Sequence, residues 1–347
     1  MLTQRQNAIL EYLQKTKKAQ QSAILTFIAT RFDKVSKPTI LRDIEALLSS
    51  GLVEKSGKGR GVVYLSKNKN PFLFHFDADS YFKTPQDQRE IKKQFNWEVF
   101  DYPKDFFTAS EFKRLETANN EYQKKRAKMN VASLRKEFER LTIELSWKSS
   151  HLEGNTYSLL ETETLIKESR EAEGHTKEEA VMILNHKHAL DYILKSSEQF
   201  KILKGTQVRA VHSLLIKDLG IPDDFRSILV RITGTNYQPL DNRFQIEDAV
   251  KKIVEIINKE KNPAVKALLA VSFISYTQPF VDGNKRTSRL IANAMLLAND
   301  WCPMSLRSMD ETAYKKAMLL FYEQNSLDYL KQLFIEQFEF AVENYFG

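Results

Sequence analysis

The sequence predicts a mostly helical fold, and three observations carry this prediction. Gly and Pro are scarce, with 11 and 9 among 347 residues, which disfavours a β-sandwich or a disordered chain. Apolar residues recur at steps of three and four along most of the chain. The exception is the basic N-terminal segment, where two short β-prone runs follow three helical segments. The length allows two or three domains with their own cores.

The N-terminal segment, residues 1–69, is expected to form three short helices and a β-hairpin. The helices are predicted over 3–14, 19–30 and 37–51, and the β-prone runs over 52–53 and 62–65. Ser36 is placed to cap the third helix, with Pro38 in its first turn and Gly51 at its end. A glycine-rich, basic tip joins the two β-prone runs and predicts a hairpin.

This order of elements resembles a winged helix-turn-helix module. Residues 1–70 hold 13 of the 52 Lys/Arg and 5 of the 45 Asp/Glu, so this segment carries +8 and the remainder −1. Such asymmetry favours a polyanion-binding module, although a solvated basic face or a protein-docking unit is the alternative. The resemblance implies DNA binding. The residues expected to face bases are Lys37, Thr39 and Arg42, and those expected on the wing are Lys55, Lys58 and Arg60.

Residues 70–125 are rich in aromatic side chains without a clean period, and we interpret them as a connector that packs on the body. The body, residues 126–347, is expected to be helical. Its predicted helices span 131–154, 176–198, 205–218, 245–259, 262–276, 285–300 and 309–346, with a loop over 220–244. Gly154 is placed to cap the first of these helices.

The stretch YTQPFVDGNKRTSR lies between two of these helices and predicts a phosphate-binding turn. Asp282, Gly283 and Asn284 form a tight turn into a helix N-terminus, where unpaired N–H groups hold anions. Arg286 and Arg289 share one helix face and suit a di- or triphosphate. Asp282 is a hard oxygen ligand for Mg²⁺. The alternative is an ordinary loop with surface arginines.

The same stretch resembles the signature of the Fic (Fido) family. The matching residues are Phe280, Asp282, Gly283, Asn284, Arg286 and Arg289. A second stretch, SSHLEGN, is similar to the inhibitory motif of that family, with Ser149, Glu153 and Gly154 in place. Residues 221–240 are similar to the segment of the target-binding flap, which includes Thr233, Gly234, Thr235, Asn236 and Tyr237. The similarity covers about 126–335.

The resemblance implies an all-helical core with a small β-hairpin flap. It also implies transfer of AMP from ATP to a hydroxyl of a target protein or of the chain itself. In that scheme Asp282 holds Mg²⁺, while Gly283, Asn284, Lys285 and Arg286 bind phosphates. Arg289 binds the γ-phosphate, and Glu153 pairs with Arg289 and so blocks γ-phosphate binding. A homodimer is expected because oligomers are common in the family. Tyr237 is a candidate for self-modification.

Two residues depart from the family pattern. Gln278 stands where the family has its basic histidine, and an amide cannot accept the hydroxyl proton. Lys285 stands where adenylyl-transferring members usually carry glycine, and it resembles the Doc-type phosphotransferases. Three functions therefore remain open: an impaired adenylyltransferase, a DNA-binding regulator that senses nucleotide without transfer, and a phosphotransferase.

Charge and cysteine content predict a cytoplasmic protein that does not engage a membrane. The N-terminus is too charged for a signal peptide, and no apolar run approaches the ~20 residues of a membrane span. The single cysteine, Cys302, excludes an internal disulfide framework.

Overall fold

The computed structural model describes residues 2–32, 35–67, 70–101 and 106–346, and these form 14 α-helices and one small sheet. The mostly helical fold is as predicted. The chain divides into two units, Met1–Ile91 with Lys316–Leu330, and Lys92–Lys315 with Lys331–Gly347. None of the helices in the described ranges is long and apolar enough to span a bilayer.

The first unit begins with three helices and a three-stranded antiparallel sheet. The helices are α1 (Gln4–Thr16), α2 (Gln21–Arg31) and α3 (Lys37–Ser49). The strands are β1 (Ala19–Gln20), β2 (Val53–Ser56) and β3 (Val63–Ser66), in the order β1-β3-β2. The predicted helices and hairpin are all present. The short edge strand β1 is an addition, and it pairs Ala19 with Tyr64.

One apolar core holds these elements together. Ile9, Leu13, Ile24, Ile28 and Leu47 are fully buried within it, because each helix places one stripe inward. Arg5 of α1 donates its Nε–H to the carboxylate of Asp43 on α3 over 2.7 Å. The inner face of α3 is thus fixed to α1.

The first part of the predicted connector, residues 70–91, belongs to the first unit. It contains the short helix α4 (Ala78–Tyr81). The fully buried carboxylate of Glu323 accepts hydrogen bonds from the Tyr81 hydroxyl (2.6 Å) and the Arg89 guanidinium (2.9 Å). These contacts satisfy a buried charge and fix the segment before Ile91 within this unit.

The second unit contains the helices that build the site. They are α5 (Ala109–Lys128), α6 (Val131–His151), α7 (Leu159–Glu168), α8 (Lys177–Lys195), α9 (Gly205–Ile216), α10 (Arg243–Lys259), α11 (Pro263–Thr277) and α12 (Asn284–Ala298). The last two helices of the chain are α13 (Glu311–Gln324) and α14 (Asp328–Asn344). Every described residue of α11 from Ala264 to Thr277 is buried, so α11 is the central helix, and α12 packs along it.

Three local features differ from the sequence-based expectations. Helices α5 and α7 lie where no helix was predicted. The single helix expected over 309–346 is two helices, because Asn325 adopts a left-handed conformation (φ 56°) between them. Residues 221–242, all of them described, contain no regular strand, and one parallel bridge joins Gln238 to Gln94. The predicted flap is thus an extended segment in this structure.

Candidate functional site

The loop between α11 and α12 depends on two left-handed residues. Gln278 ends α11 with φ 49°, and Gly283 caps α12 with φ 78°. A Cβ on Gly283 would lie 3.3 Å from Ile216 Cγ2 and 3.4 Å from His212 Cδ2. Glycine is therefore required here both by backbone conformation and by the close approach of α9.

Asn284 and Gln278 lock this loop through their side-chain amides. Asn284 accepts a hydrogen bond from the Phe280 N–H (2.8 Å) and donates to the Phe280 carbonyl (2.8 Å) and to Gln278 Oε1 (3.0 Å). Gln278 Nε2 donates to the Ser275 carbonyl over 2.6 Å. Both ends of the Gln278 amide thus serve the loop itself, and neither is a proton acceptor of useful basicity.

Arg286 and Asp282 give the loop one buried cation and one exposed anion. The Arg286 side chain is 2% exposed, and that of Asp282 is 63% exposed. Arg286 Nη2 lies 3.2 Å from Asp282 Oδ2, whereas Arg286 Nη1 is buried and has no hydrogen-bond partner. Burial lowers the pKa of Arg286 from its ordinary value. A buried guanidinium nitrogen without a partner favours an anionic ligand at this position.

Arg289 is bound by the end of α6. Its Nε donates to Ser149 Oγ (3.0 Å), its Nη2 to the Ser149 carbonyl (2.7 Å) and its Nη1 to Glu153 Oε1 (2.8 Å). Tyr314 of α13 also contacts Arg289 Nη1, at 3.3 Å. All the donor nitrogens of this buried guanidinium are therefore engaged by protein groups.

Glu153 is bound by a second cation as well. Lys285 Nζ lies 3.0 Å from Glu153 Oε2. Burial opposes ionisation of Glu153, but the charges of Arg289 and Lys285 outweigh it and hold its pKa below the ordinary value. Gly154 follows in a left-handed conformation (φ 98°), as a helix-ending glycine should. Ser149 and Glu153 of the second stretch thus contact α12, through Arg289 and Lys285.

His212 supports the loop from beneath, and the sequence did not single it out. Its ring stacks on Phe280 with centroids 3.6 Å apart, and Nε2 donates to the Asp282 carbonyl over 3.0 Å. Burial lowers the pKa of His212 to about 4, so the imidazole is neutral near neutral pH. Its position in a stripe with Val208, Val211 and Leu215 marked it as an inward-facing residue of α9.

The flap segment attaches to the same loop through Arg226. Its Nε donates to the Gln278 carbonyl over 2.6 Å, and its own N–H donates to the Pro279 carbonyl over 3.0 Å. Among the predicted flap residues Thr233 is exposed, Gly234 and Asn236 are half-buried, and Thr235 is buried. Tyr237 is buried, and its hydroxyl donates to the Tyr276 carbonyl over 2.9 Å. The prediction of Tyr237 as a self-modification target is wrong, because packing on α11 encloses the hydroxyl.

The other histidines do not replace the missing base. His151 contacts the Asn155 carbonyl (2.8 Å) and Glu311 (3.0 Å), and His175 contacts Thr156 (2.8 Å). His186 is fully buried beside Ser146, and burial, followed by the charges of Arg289 and Arg286, lowers its pKa well below the ordinary value. The next histidine, His188, points outward, as the spacing of two predicted.

The predicted DNA-facing residues lie on α3 and the β2–β3 hairpin. Lys37, Arg42, Lys55 and Lys58 are exposed, and Thr39 is half-buried, with its hydroxyl 2.9 Å from that of Ser36. The side chain of Arg60 lies outside the described part of the chain.

Comparison with known proteins finds similarity to Fic proteins. Residues 202–296 match the model of the Fic/DOC family. The chain is 26% identical over 188 residues to Protein adenylyltransferase Fic of Nematostella vectensis, covering 48% of this chain and 40% of that protein. It is 25% identical over 174 residues to the protein of the same name from Drosophila mojavensis, covering 48% and 34%. The chain thus spans less than half the length of these relatives.

Solved structures share the fold. Fic-1 from C. elegans superimposes with a TM-score of 0.61 at 19% identity, over 68% of this chain and 72% of that chain. A Fic domain containing signaling protein from Bacteroides thetaiotaomicron gives a TM-score of 0.56 at 19% identity, over 66% and 96%.

Proposed function

We propose that this chain, which contains a Fic/DOC family domain over residues 202–296, binds ATP at the α11–α12 loop and is nominally an adenylyltransferase. The observation that carries this proposal is the position of Glu153. Its carboxylate binds Arg289 at 2.8 Å and Lys285 at 3.0 Å, as a phosphate of a nucleotide would. Because Glu153 already neutralises two cations near the N-terminus of α12, this position suits a polyphosphate ligand.

Asp282, together with the phosphates of ATP, would hold a magnesium ion. The carboxylate is 63% exposed, and the described residues contain no group of three His, Cys, Asp or Glu side chains that could hold a metal alone. Mg²⁺ at nucleotide sites is commonly held by one or two carboxylates together with phosphate oxygens. When bound, the ion would neutralise charge on the phosphates. Gly283, Asn284 and Arg286 would hold the same phosphates.

The transfer step lacks a protein base. A hydroxyl oxygen of the acceptor attacks the α-phosphorus, a new O–P bond forms, and the bond to the α,β-bridging oxygen breaks, which releases pyrophosphate. The hydroxyl proton then passes to solvent or to a phosphate oxygen, because Gln278 cannot accept it and donates to Ser275 instead. Loss of a general base costs ~10²–10⁴ in rate, so we expect slow turnover. The acceptor is a hydroxyl of another protein or of a second copy of this chain.

A transfer assay with ATP labelled separately at the α- and γ-phosphates tests the proposal. The variants are the wild type, Glu153→Gly, and Glu153→Gly with Gln278→His, and Glu173→Gly is the matched control because Glu173 is an exposed loop residue. We expect α-label on protein to rise with Glu153→Gly and again, by ~10²-fold or more, with Gln278→His. Transfer of the γ-label alone would instead identify a phosphotransferase. Absence of any label with retained ATP binding would reject transfer altogether.

A second candidate function is DNA-bound regulation in which the Fic domain binds nucleotide without transfer. Two observations favour it: the Gln278 amide forms hydrogen bonds to Ser275 and Asn284 and is not basic, and the basic residues Lys37 and Arg42 are exposed on α3. DNA affinity measured with and without ATP tests this candidate. An affinity that does not respond to ATP would reject nucleotide sensing.

A further inference from the structure

Glu153 is shared between two cations of one helix face. Lys285 and Arg289 are four residues apart on α12, so their side chains project together. Each takes one carboxylate oxygen, Lys285 at Oε2 (3.0 Å) and Arg289 at Oε1 (2.8 Å). The carboxylate of Glu153, just after α6, is thus bridged by two cations of α12 and not simply paired with one arginine.

The two cations differ in how accessible they are. The side chain of Arg289 is 2% exposed, whereas that of Lys285 is 32% exposed and that of Glu153 is 19% exposed. Arg286 does not contribute to the bridge, because its near anion is Asp282 at 3.2 Å. One carboxylate therefore faces two positive charges, and Lys285 is the one that a ligand entering from solvent meets first.

We propose that Lys285 is the second cation of an anion-exchange switch: without ligand it holds Glu153 over the site, and with ligand it moves to the phosphate chain. The proposal rests on the nucleotide site proposed above and adds a regulatory residue to it. Because the cradle has two cations for one carboxylate, the ligand that displaces Glu153 must carry several negative charges. A di- or triphosphate chain meets this requirement, because it offers oxygens and charge to both cations.

Lys285 thus stabilises both the ligand-free state, through Glu153, and the ligand-bound state, through the phosphates. Removing its charge loosens Glu153, which favours ligand binding, and removes a phosphate contact, which opposes it. With Glu153 neutralised, only the second effect remains. The consequences of Lys285→Met therefore depend on whether residue 153 carries a charge.

A double-mutant cycle measured without ligand tests whether Lys285 holds Glu153 in place. Thermal denaturation midpoints are compared for the wild type, Lys285→Met, Glu153→Gln and the double variant. Lys251→Met is the matched control, because Lys251 forms an exposed ion pair with Asp248 at 3.3 Å. We expect Lys285→Met to lower the midpoint in the wild type and to leave it unchanged or raise it in Glu153→Gln, where Lys285 and Arg289 repel each other. Equal shifts in both backgrounds would overturn the switch.

Titration calorimetry of the same four proteins with inorganic tripolyphosphate, and separately with orthophosphate, tests the exchange. We expect Lys285→Met to weaken tripolyphosphate binding about tenfold in Glu153→Gln, the size of one charge-assisted contact, and to change it much less in the wild type. Equal weakening in both backgrounds would make Lys285 a phosphate ligand only. Should Glu153→Gln bind neither tripolyphosphate nor ATP, the nucleotide site and the exchange both fail, while the ligand-free cycle still decides whether Lys285 holds Glu153.

Discussion

At the scale of single residues, Gln278 and His212 both stabilise the loop between α11 and α12. Gln278 lies at the end of α11, where its amide donates to the Ser275 carbonyl and accepts from Asn284. His212 lies beneath the loop and donates to the Asp282 carbonyl. Neither side chain is available as a general base, since the first lacks basicity and the second is enclosed. Both fix the backbone of the turn that is proposed to bind phosphate.

The buried imidazole of His212 makes stability depend on pH. Its pKa is lowered to about 4 in the folded state, against 6.5 when unfolded, so folding disfavours the protonated form. The full contribution is present above pH 6.5 and is lost as pH falls from 6.5 towards 4, because the unfolded chain then binds a proton that the folded chain does not. This difference is worth on the order of 3 kcal/mol. Urea unfolding at pH 7 and pH 5 measures the part lost between these two values, about 2 kcal/mol.

The matched substitutions for this prediction are His212→Gln and His188→Gln. His212→Gln should lower stability at pH 7, because it removes the ring that stacks on Phe280, and should flatten the decline between pH 7 and pH 5. His188 is exposed on the same unit, and its substitution should leave the decline unchanged. A decline that is equally steep in His212→Gln would show that other groups cause it.

At the scale of elements, the start of α8 holds the segment that follows Glu153. The Glu179 carboxylate accepts from the Thr156 N–H (2.7 Å), the Thr156 hydroxyl (2.6 Å) and the Thr176 N–H (2.9 Å). The Thr156 hydroxyl bond is the largest of the causes that lower the pKa of Glu179 to about 2. One carboxylate thus caps α8 and fastens the chain three residues after Glu153.

We predict that Glu179→Ala loosens this segment while the rest of the fold persists. Loss of the cap and its hydrogen bonds should cost about 1–2 kcal/mol of stability. Hydrogen exchange should accelerate at Asn155 and Thr156 more than in α11. The exposed neighbour Glu178 provides the control, and Glu178→Ala should change neither quantity appreciably. Uniform acceleration across the second unit would show that Glu179 has no local role.

Most helices were predictable from their apolar stripes, and the exceptions have physical reasons. Helix α5 buries only Leu115, Asn119 and Tyr122, so its stripe is narrow and partly polar. A capping box between Thr108 and Glu111 was the local signal for its start. The break at Asn325 depends on a left-handed residue that need not be glycine, and helical periodicity alone does not reveal it.

The sequence could predict those parts of the site whose residues lie close together along the chain. The residues from Asp282 to Arg289 lie within three turns of chain, so their shared helix N-terminus follows from the sequence. Glu153 and Lys285 are 132 positions apart, and only packing brings them together. Lys285 was expected at the phosphates because of its position in the loop, whereas its side chain contacts the carboxylate of Glu153. Tertiary charge pairing decided that orientation.

At the scale of the whole molecule, charge is segregated along the chain. Residues 1–70 carry +8 and the remainder −1, so the excess lies in the segment that forms α1–α3 and the hairpin. Within that segment Asp43 is paired with Arg5 on the inner side of α3. Lys37 and Arg42 are exposed on the same helix, which leaves an outward face that is basic. Such a face favours a polyanionic partner.

We predict that this basic face gives salt-dependent DNA binding. Lys58→Ala in the hairpin should weaken binding to all duplexes alike and reduce the slope of log affinity against log salt by about 1, because it removes one phosphate contact. Arg42→Ala should instead cost ~1–3 kcal/mol on a preferred sequence and relax its selection, because the winged helix-turn-helix resemblance makes α3 the helix expected to read bases. Anisotropy titrations at several salt concentrations measure both effects, with Lys15→Ala at the exposed end of α1 as control. Equal salt slopes for wild type, Lys58→Ala and Arg42→Ala would exclude this face as the DNA contact.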